Sequence, residues 1–396
     1  MRPLPLALLA FLAACGSRSG LSVEQTPPPD AAPAPVDGGP PPIDARPPDA
    51  APPPMGCTLG PRQGPLADDA PTFVHSLAPY EDGFLVGWSG GWPPDLAGSF
   101  GRLDVGLTGF EDRAPITPGE TVFAAPVTAE VAVLGEGNNV VHLARYGWAR
   151  GTWERRDDRR LCDDCDDCVP SGPAVGGEGW LAFATEHFVG ERAIEVAFQR
   201  EEAFEPERGL RFEGEADAAL SGNAATLWLV SSLEGEMRLR RLGWADGFVG
   251  DATPLPLTPN GVSAATRATP DGGVLVAGRA DAEDDLAVLQ VGPDGELGRS
   301  ARVEVGDLVI DAALSRSRGT IAVAWEGLDG LGVTVLREDD LSVVLPATPV
   351  SGERPGSYRR TIAIAPAPYG HAIVYGGWEE DTYYGAYARR VDCRGF

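Results

Sequence analysis

The chain of 396 residues contains no lysine: its 32 basic residues are all arginine, set against 58 acids for a formal charge of −26. Chemistry that depends on a lysine is therefore absent, including a Walker-type phosphate loop, Schiff-base catalysis and a Ser/Lys dyad. Cationic contacts to phosphates supply most nucleic-acid affinity, so a surface this acidic makes nucleic acid an improbable partner. Aromatic residues are few, at 8%, and histidines number only four. Hydrophobic residues nonetheless reach 43%, enough for a sizeable core, which excludes disorder of the whole chain.

No apolar run is long enough for a permanent membrane helix, which needs about 20 residues. The first stretch, Leu4 to Ala13, follows a single charge at Arg2 and suits a cleaved secretory signal. It leads into Leu12-Ala13-Ala14-Cys15-Gly16-Ser17. This run resembles the lipobox of bacterial lipoproteins, in which small residues admit the peptidase and the cysteine thiol is acylated. The resemblance covers about 17 residues. It implies a signal peptide over 1–14, with Cys15 as the first mature residue bearing acyl chains as a membrane anchor. Gly16 stands where an aspartate would retain such a protein in the inner membrane, so the resemblance implies the outer membrane.

From Pro27 to Pro54, 13 of 28 residues are proline, and most others are Ala, Asp and Gly. Such a segment lacks backbone donors and apolar bulk, and favours extended polyproline II. Residues 15–56 therefore read as a lipidated, disordered stalk. At about 3.1 Å per residue the proline-rich part reaches up to roughly 90 Å.

Beyond Cys57 the chain shows no sustained helical period. Short apolar runs alternate with Gly, Pro, Asp and Glu, and seven look alike. Anchored at Phe84, Val140, Trp180, Leu227, Val274, Ile321 and Ala372, they are spaced by 56, 40, 47, 47, 47 and 51 residues. Runs of this kind suit strands buried on both faces. Several are followed by an alternating run, as at Ile194 to Gln199, and by a weaker strand such as Leu341 to Pro346. About four strands per 47 residues is the pattern of a β-propeller blade. Residues 57–396 thus read as an all-β, seven-bladed propeller of four-stranded blades. The pairs Gly90-Gly91 and Gly376-Gly377 are similar to the double glycine of kelch repeats, but five units lack it, and no WD40 pattern recurs.

The first and last units resemble each other, with Ala78-Pro79-Tyr80 echoed by Ala367-Pro368-Tyr369, as neighbours in a closed ring would. The last unit also ends before an outer strand. The segment after Cys57 can supply it, which would bring Cys57 and Cys393 together as a disulfide. The remaining trio, Cys162, Cys165 and Cys168, separated by four aspartates, lies between the second and third blades. A disulfide from Cys162 to Cys168, with Cys165 free or exchanging, is the commoner outcome for an exported protein. Three thiols at this spacing could instead hold a soft metal with His142 or His187 as a fourth ligand.

His75, His142, His187 and His371 sit in or beside apolar strands and read as structural. Trp88, Trp180, Trp228, Trp325 and Trp378 fall at the anchor strands and are expected between blades. Trp92, Trp148, Trp153 and Trp244 lie nearer turns and are the candidates for ligand stacking. No catalytic residue, metal or cofactor is expected. These observations point to a non-catalytic, monomeric, surface-anchored lipoprotein of the cell envelope, whose ring binds a protein or glycan. The alternative is a propeller hydrolase or lyase acting on polysaccharide, which needs paired carboxylates at the channel.

Overall fold

In a computed structural model, the described residues are 56–396 apart from 68–71, 91–96, 117–120, 128–129, 138–139, 162–167, 189–190, 204–205, 245, 260–263, 281–284, 352–360 and 380–382. The signal, Cys15 and the proline-rich stalk lie outside them. The described residues form strands and turns, with no helix among them.

Seven antiparallel sheets follow one another along the chain, each a blade whose strands run in sequence from inner to outer. Blade 1 is Thr72–Tyr80, Gly83–Gly90, Ala97–Asp104 and Phe110–Ile116. Blade 2 is Thr121–Val127, Glu130–Gly137, Val140–Ala149 and Thr152–Arg160. In blade 3 the inner strand is split into Cys168–Pro170 and Val175–Gly177, and both parts pair with Trp180–His187. Pro170 and Pro173 donate no backbone hydrogen bond, so the ladder gives way between them. Ala193–Arg200 and Pro206–Glu213 complete that blade. Blades 4, 5 and 6 begin with the inner strands Glu215–Gly222, Ala265–Ala268 and Asp311–Ser317.

Blade 7 comprises Ile362–Ala367, Gly370–Glu379 and Tyr383–Arg394, and its outer strand is Gly56–Leu59 from the other end of the described chain. Cys57 lies directly opposite Cys393 in that pairing, with a Cα separation of 4.2 Å, and the two are disulfide-bonded. Such a spacing belongs to the narrow, non-hydrogen-bonded sites of an antiparallel ladder. The expected ring closure is thus present. It pairs an edge that would otherwise be open.

The core is distributed between the blades. Seven apolar clusters each join two neighbouring blades, and one of them unites Phe84, Val86 and Trp88 of blade 1 with Ala365, Ala372 and Val374 of blade 7. Seven blades crowd together at the axis, so inner strands carry small residues, as in Ala124-Ala125 and Ala218-Ala219. The bulky Phe84, Phe183 and Trp228 sit one strand further out, where the wedge widens. Two-residue hairpins hold the meanders together. Glu234-Gly235 and Arg318-Gly319 both adopt positive φ at each position, the geometry that matches the twist of the flanking strands.

One phase of the repeat is corrected. Val140 begins the third strand of blade 2, not the second. The equivalent second-strand residue is Val131, which turns the irregular steps of 56 and 40 into 47 and 49. Both strands of that blade are apolar, and hydrophobicity alone did not distinguish them.

Candidate functional site

The inner strands of all seven blades converge on a central cavity of about 640 Å³, within the range of small-ligand sites. Its wall is built largely of Ala, Gly, Ser, Thr, Pro, Leu and Ile, because the axis has little room for anything larger. Ser171 to Ala174, the break in the inner strand of blade 3, forms part of it. The Ser171 and Ser221 hydroxyls in this wall are buried and meet no hydrogen-bond partner among the described residues.

No Asp or Glu belongs to the described lining, whereas two arginines do: Arg267 of blade 5 and Arg316 of blade 6. Both lie toward the C-terminal ends of their inner strands. Arg316 is ion-paired to Glu338. Arg267 is exposed to the cavity yet walled by protein. Burial first, and then the charge of Arg316, lower its pKa from the usual arginine value. Asp271, in the turn after the same inner strand, is held below the ordinary carboxylate range, chiefly by the hydrogen bond from Thr269 and only weakly by Arg316. Reading the sequence did not single out these arginines. The one available signal was a long cation interrupting the small-residue inner strands Ala265-Thr266-Arg267-Ala268 and Leu314-Ser315-Arg316-Ser317.

Several acids are engaged between blades 3 and 4. Glu186 accepts a hydrogen bond from the Ala218 backbone N–H at 2.9 Å, and burial raises its pKa. The Ser232 hydroxyl donates to Asp217 at 2.6 Å, and Arg240 pairs with Glu215 at 2.6 Å. Arg192 approaches Glu186 and Asp217 within 3.8 Å and 3.6 Å. Glu186 and Asp217 tie blade 3 to blade 4, whereas Glu215 is paired within blade 4, and none of the three belongs to the cavity lining.

The histidines are hydrogen-bonded. His371 lies between the hydroxyls of Ser315, 2.8 Å from Nδ1, and Thr320, 2.9 Å from Nε2, and its burial depresses its pKa to about 3. His142 contacts Asp158 at 3.1 Å, and His187 contacts Glu195 at 3.5 Å. His75, which lines the cavity, is 2.8 Å from the Ser89 hydroxyl through Nε2. The sequence reading passed over the fact that Gly87-Trp88-Ser89-Gly90-Gly91 fits the Gly-x-Ser-x-Gly nucleophile pattern. In that pattern the serine stands on an exposed strand-to-helix turn. Ser89 lies within a strand and is fully buried, out of reach of a substrate.

Cys168 is buried and disulfide-bonded, with its partner outside the described residues, as are Cys162 and Cys165. A disulfide sulfur is no thiolate ligand, so Cys168 does not support the metal reading.

Among the aromatic candidates, Trp244 is corrected. It is buried in the layer between blades 3 and 4, with its ring nitrogen donating to the Asn223 carbonyl. Trp148 and Trp153 face each other across a hairpin, 4.9 Å between ring centroids, with Arg102 over Trp148. Trp153 also packs on Phe100 and donates to the Asp112 carbonyl. Trp92 lies outside the described residues. Trp88, Trp180, Trp228 and Trp325 pack between blades as expected.

No family model and no curated protein matches the chain. Among solved structures it is similar to the uncomplexed acylaminoacyl peptidase of Pyrococcus horikoshii, at 7% identity and a TM-score of 0.50. That likeness covers 84% of this chain and 54% of the peptidase, so the chain spans about half the peptidase's length. It is also similar to the WD40 domain of Toxoplasma gondii coronin, at 12% identity and a TM-score of 0.49 over 86% and 87% of the two chains. A subtype N10 neuraminidase-like protein of A/little yellow-shouldered bat/Guatemala/060/2010 gives 9% identity and a TM-score of 0.46 over 70% and 98% of the two chains. The likeness is one of fold. It carries no activity across.

Proposed function

We propose that this protein is a non-catalytic binding protein of the cell envelope, held to the outer membrane by lipid on Cys15 and displayed as a monomer on its proline-rich stalk. Its ring binds a protein or glycan partner at the central cavity, without a cofactor and without nucleic acid. The observation that carries this reading is the cavity itself: seven inner strands deliver groups to one mouth, and the described lining holds no carboxylate. Hydrolysis of a glycoside uses two carboxylates set about 5 to 10 Å apart across the scissile bond. The Cys57–Cys393 disulfide supports an oxidising compartment, where such bonds persist.

The test is capture of partners from solubilised envelope by the full chain and by Thr266→Trp, which fills the cavity from blade 5. The reading expects a partner held by the natural chain and lost from the variant, with circular dichroism unchanged. Equal capture by both would place binding elsewhere on the ring. Depolymerisation of envelope polysaccharide by the purified chain would replace this reading with the enzymatic one.

A further inference from the structure

The cavity has an electrostatic character opposite to that of the molecule around it. A chain of formal charge −26 places two guanidinium groups and no described carboxylate in the lining of its central cavity. The two are not equivalent. Arg316 is neutralised by Glu338, whereas the Arg267 guanidinium has no hydrogen-bonding or ion-pairing partner among the described residues. Its electrostatic surroundings consist of desolvation and a second cation, both of which disfavour its charge. Exposed to the cavity and without a local counter-charge, the guanidinium has donors free to meet an anion that enters from outside.

The wall around Arg267 narrows the choice of anion. The half-buried Leu77, Leu220, Ala78, Ala268 and Ala313 supply apolar surface, whereas Leu314, Ile362 and Ile364 are buried between blades, and the described lining includes no Trp, Tyr or Phe on which a sugar ring could stack. Phosphate-rich or otherwise polyanionic partners meet the long-range repulsion of the acidic exterior. A guanidinium presents a planar fork that matches one carboxylate with two parallel hydrogen bonds.

We infer that the central cavity binds a carboxylate carried on an aliphatic body, with Arg267 gripping the carboxylate and Leu77, Leu220 and the alanines of the wall receiving the rest. This rests on the reading of the cavity as the binding site and gives that site its ligand class. Arg267 is then a recognition residue, exposed in the cavity and not part of the packing between blades.

The experiment titrates N-acetyl-leucine and its neutral counterpart, N-acetyl-leucine amide, into the full chain in a neutral detergent, with glucuronate and inorganic phosphate as further probes. The acid is expected to bind at least tenfold more tightly than the amide and than either other anion. That preference should shrink as NaCl rises from about 50 to 500 mM, since a local ion pair is screened. Arg267→Gln should abolish it while leaving the melting temperature equal or higher, an outcome that a purely structural arginine would not give. Arg267→Lys should restore part of it. Equal binding of acid and amide, survival of the preference in Arg267→Gln, absence of binding by the acid, or tighter binding of glucuronate or phosphate would each overturn the inference. If Thr266→Trp loses the envelope partner and Arg267→Gln keeps it, the binding function stands and the carboxylate assignment falls.

Discussion

Cys57 and Cys393 face each other across the two outermost strands of blade 7, 4.2 Å apart at Cα and 336 residues apart in sequence, so one covalent bond joins the beginning of the ring to its end. Because Gly56–Leu59 completes the blade that Ile362–Ala367 begins, the ring closes by ordinary strand pairing and the disulfide locks it.

Removing that lock should cost stability before it costs structure. A loop of this length gives on the order of 5 kcal/mol in the chain-entropy treatment, and measured values run smaller. Cys57→Ser combined with Cys393→Ser should lower the urea midpoint by an amount equivalent to about 2 to 5 kcal/mol, with the strand signal in far-ultraviolet circular dichroism kept. An unchanged midpoint would mean that strand pairing alone closes the ring.

His371 sets a pH dependence. Its imidazole titrates near 6.5 when unfolded and about 3 when folded, because burial between Ser315 and Thr320 disfavours the charged form. Between these values the unfolded chain binds the extra proton. This group's stabilising contribution is therefore complete above pH 6.5 and is lost as the pH falls toward 3, by about 1.4 kcal/mol per unit. Unfolding measured from pH 7 to 4 should show a shallower loss in His371→Gln than in the natural chain. Parallel curves would contradict the assignment.

Gly87 sits where blade 1 touches the backbone of blade 2. A Cβ there would stand 2.5 Å from the Val122 carbonyl oxygen and 3.1 Å from the Ala124 nitrogen, neither of which can yield without moving a strand. Gly87→Ala should destabilise by about 1 to 3 kcal/mol, as overpacking does, read as a lower denaturant midpoint at unchanged slope.

Ser89 tests the nucleophile pattern against burial. Ser89→Ala leaves a buried imidazole nitrogen of His75 without its partner and should cost about 1 to 3 kcal/mol. Hydrolysis of p-nitrophenyl acetate by the natural chain should not exceed that of the variant. A serine-dependent rate would show that Ser89 becomes accessible and acts.

Cys15 carries the anchoring expectation. Cys15→Ser should move the protein from the membrane fraction to the soluble fraction, and the natural chain should show the mass of attached acyl groups. Retention of the variant in the membrane would remove the lipid from the account.

The fold was legible because each blade must bury both faces of its second strand, and that requirement writes the same apolar run at Phe84, Trp180, Leu227, Val274, Ile321 and Ala372. The ring closure was legible for a related reason: the last unit lacked an outer strand, and a spare segment bearing a matching cysteine stood at the other end. The phase of blade 2 was not, since Val131 to Leu134 and Val140 to Leu143 are both apolar and only pairing says which strand is second. Hydrophobicity reports that a strand is buried, but not where in its sheet it lies.

The candidate site was barely legible, and Arg267 shows why. In sequence it is an arginine between threonine and alanine, like many others on an acidic protein. Composition, the repeat length and the position of the cysteines determined a seven-bladed ring joined at its ends, because those properties follow from local strand burial and from chain connectivity. The tertiary structure alone decided that Arg267 faces the cavity with no carboxylate among its described lining while Arg316 meets Glu338, that Trp244 is enclosed, and that Ser89 is buried against His75. Those outcomes depend on which residues of seven separate repeats are brought within a few ångströms of one another, and no local pattern records that distance.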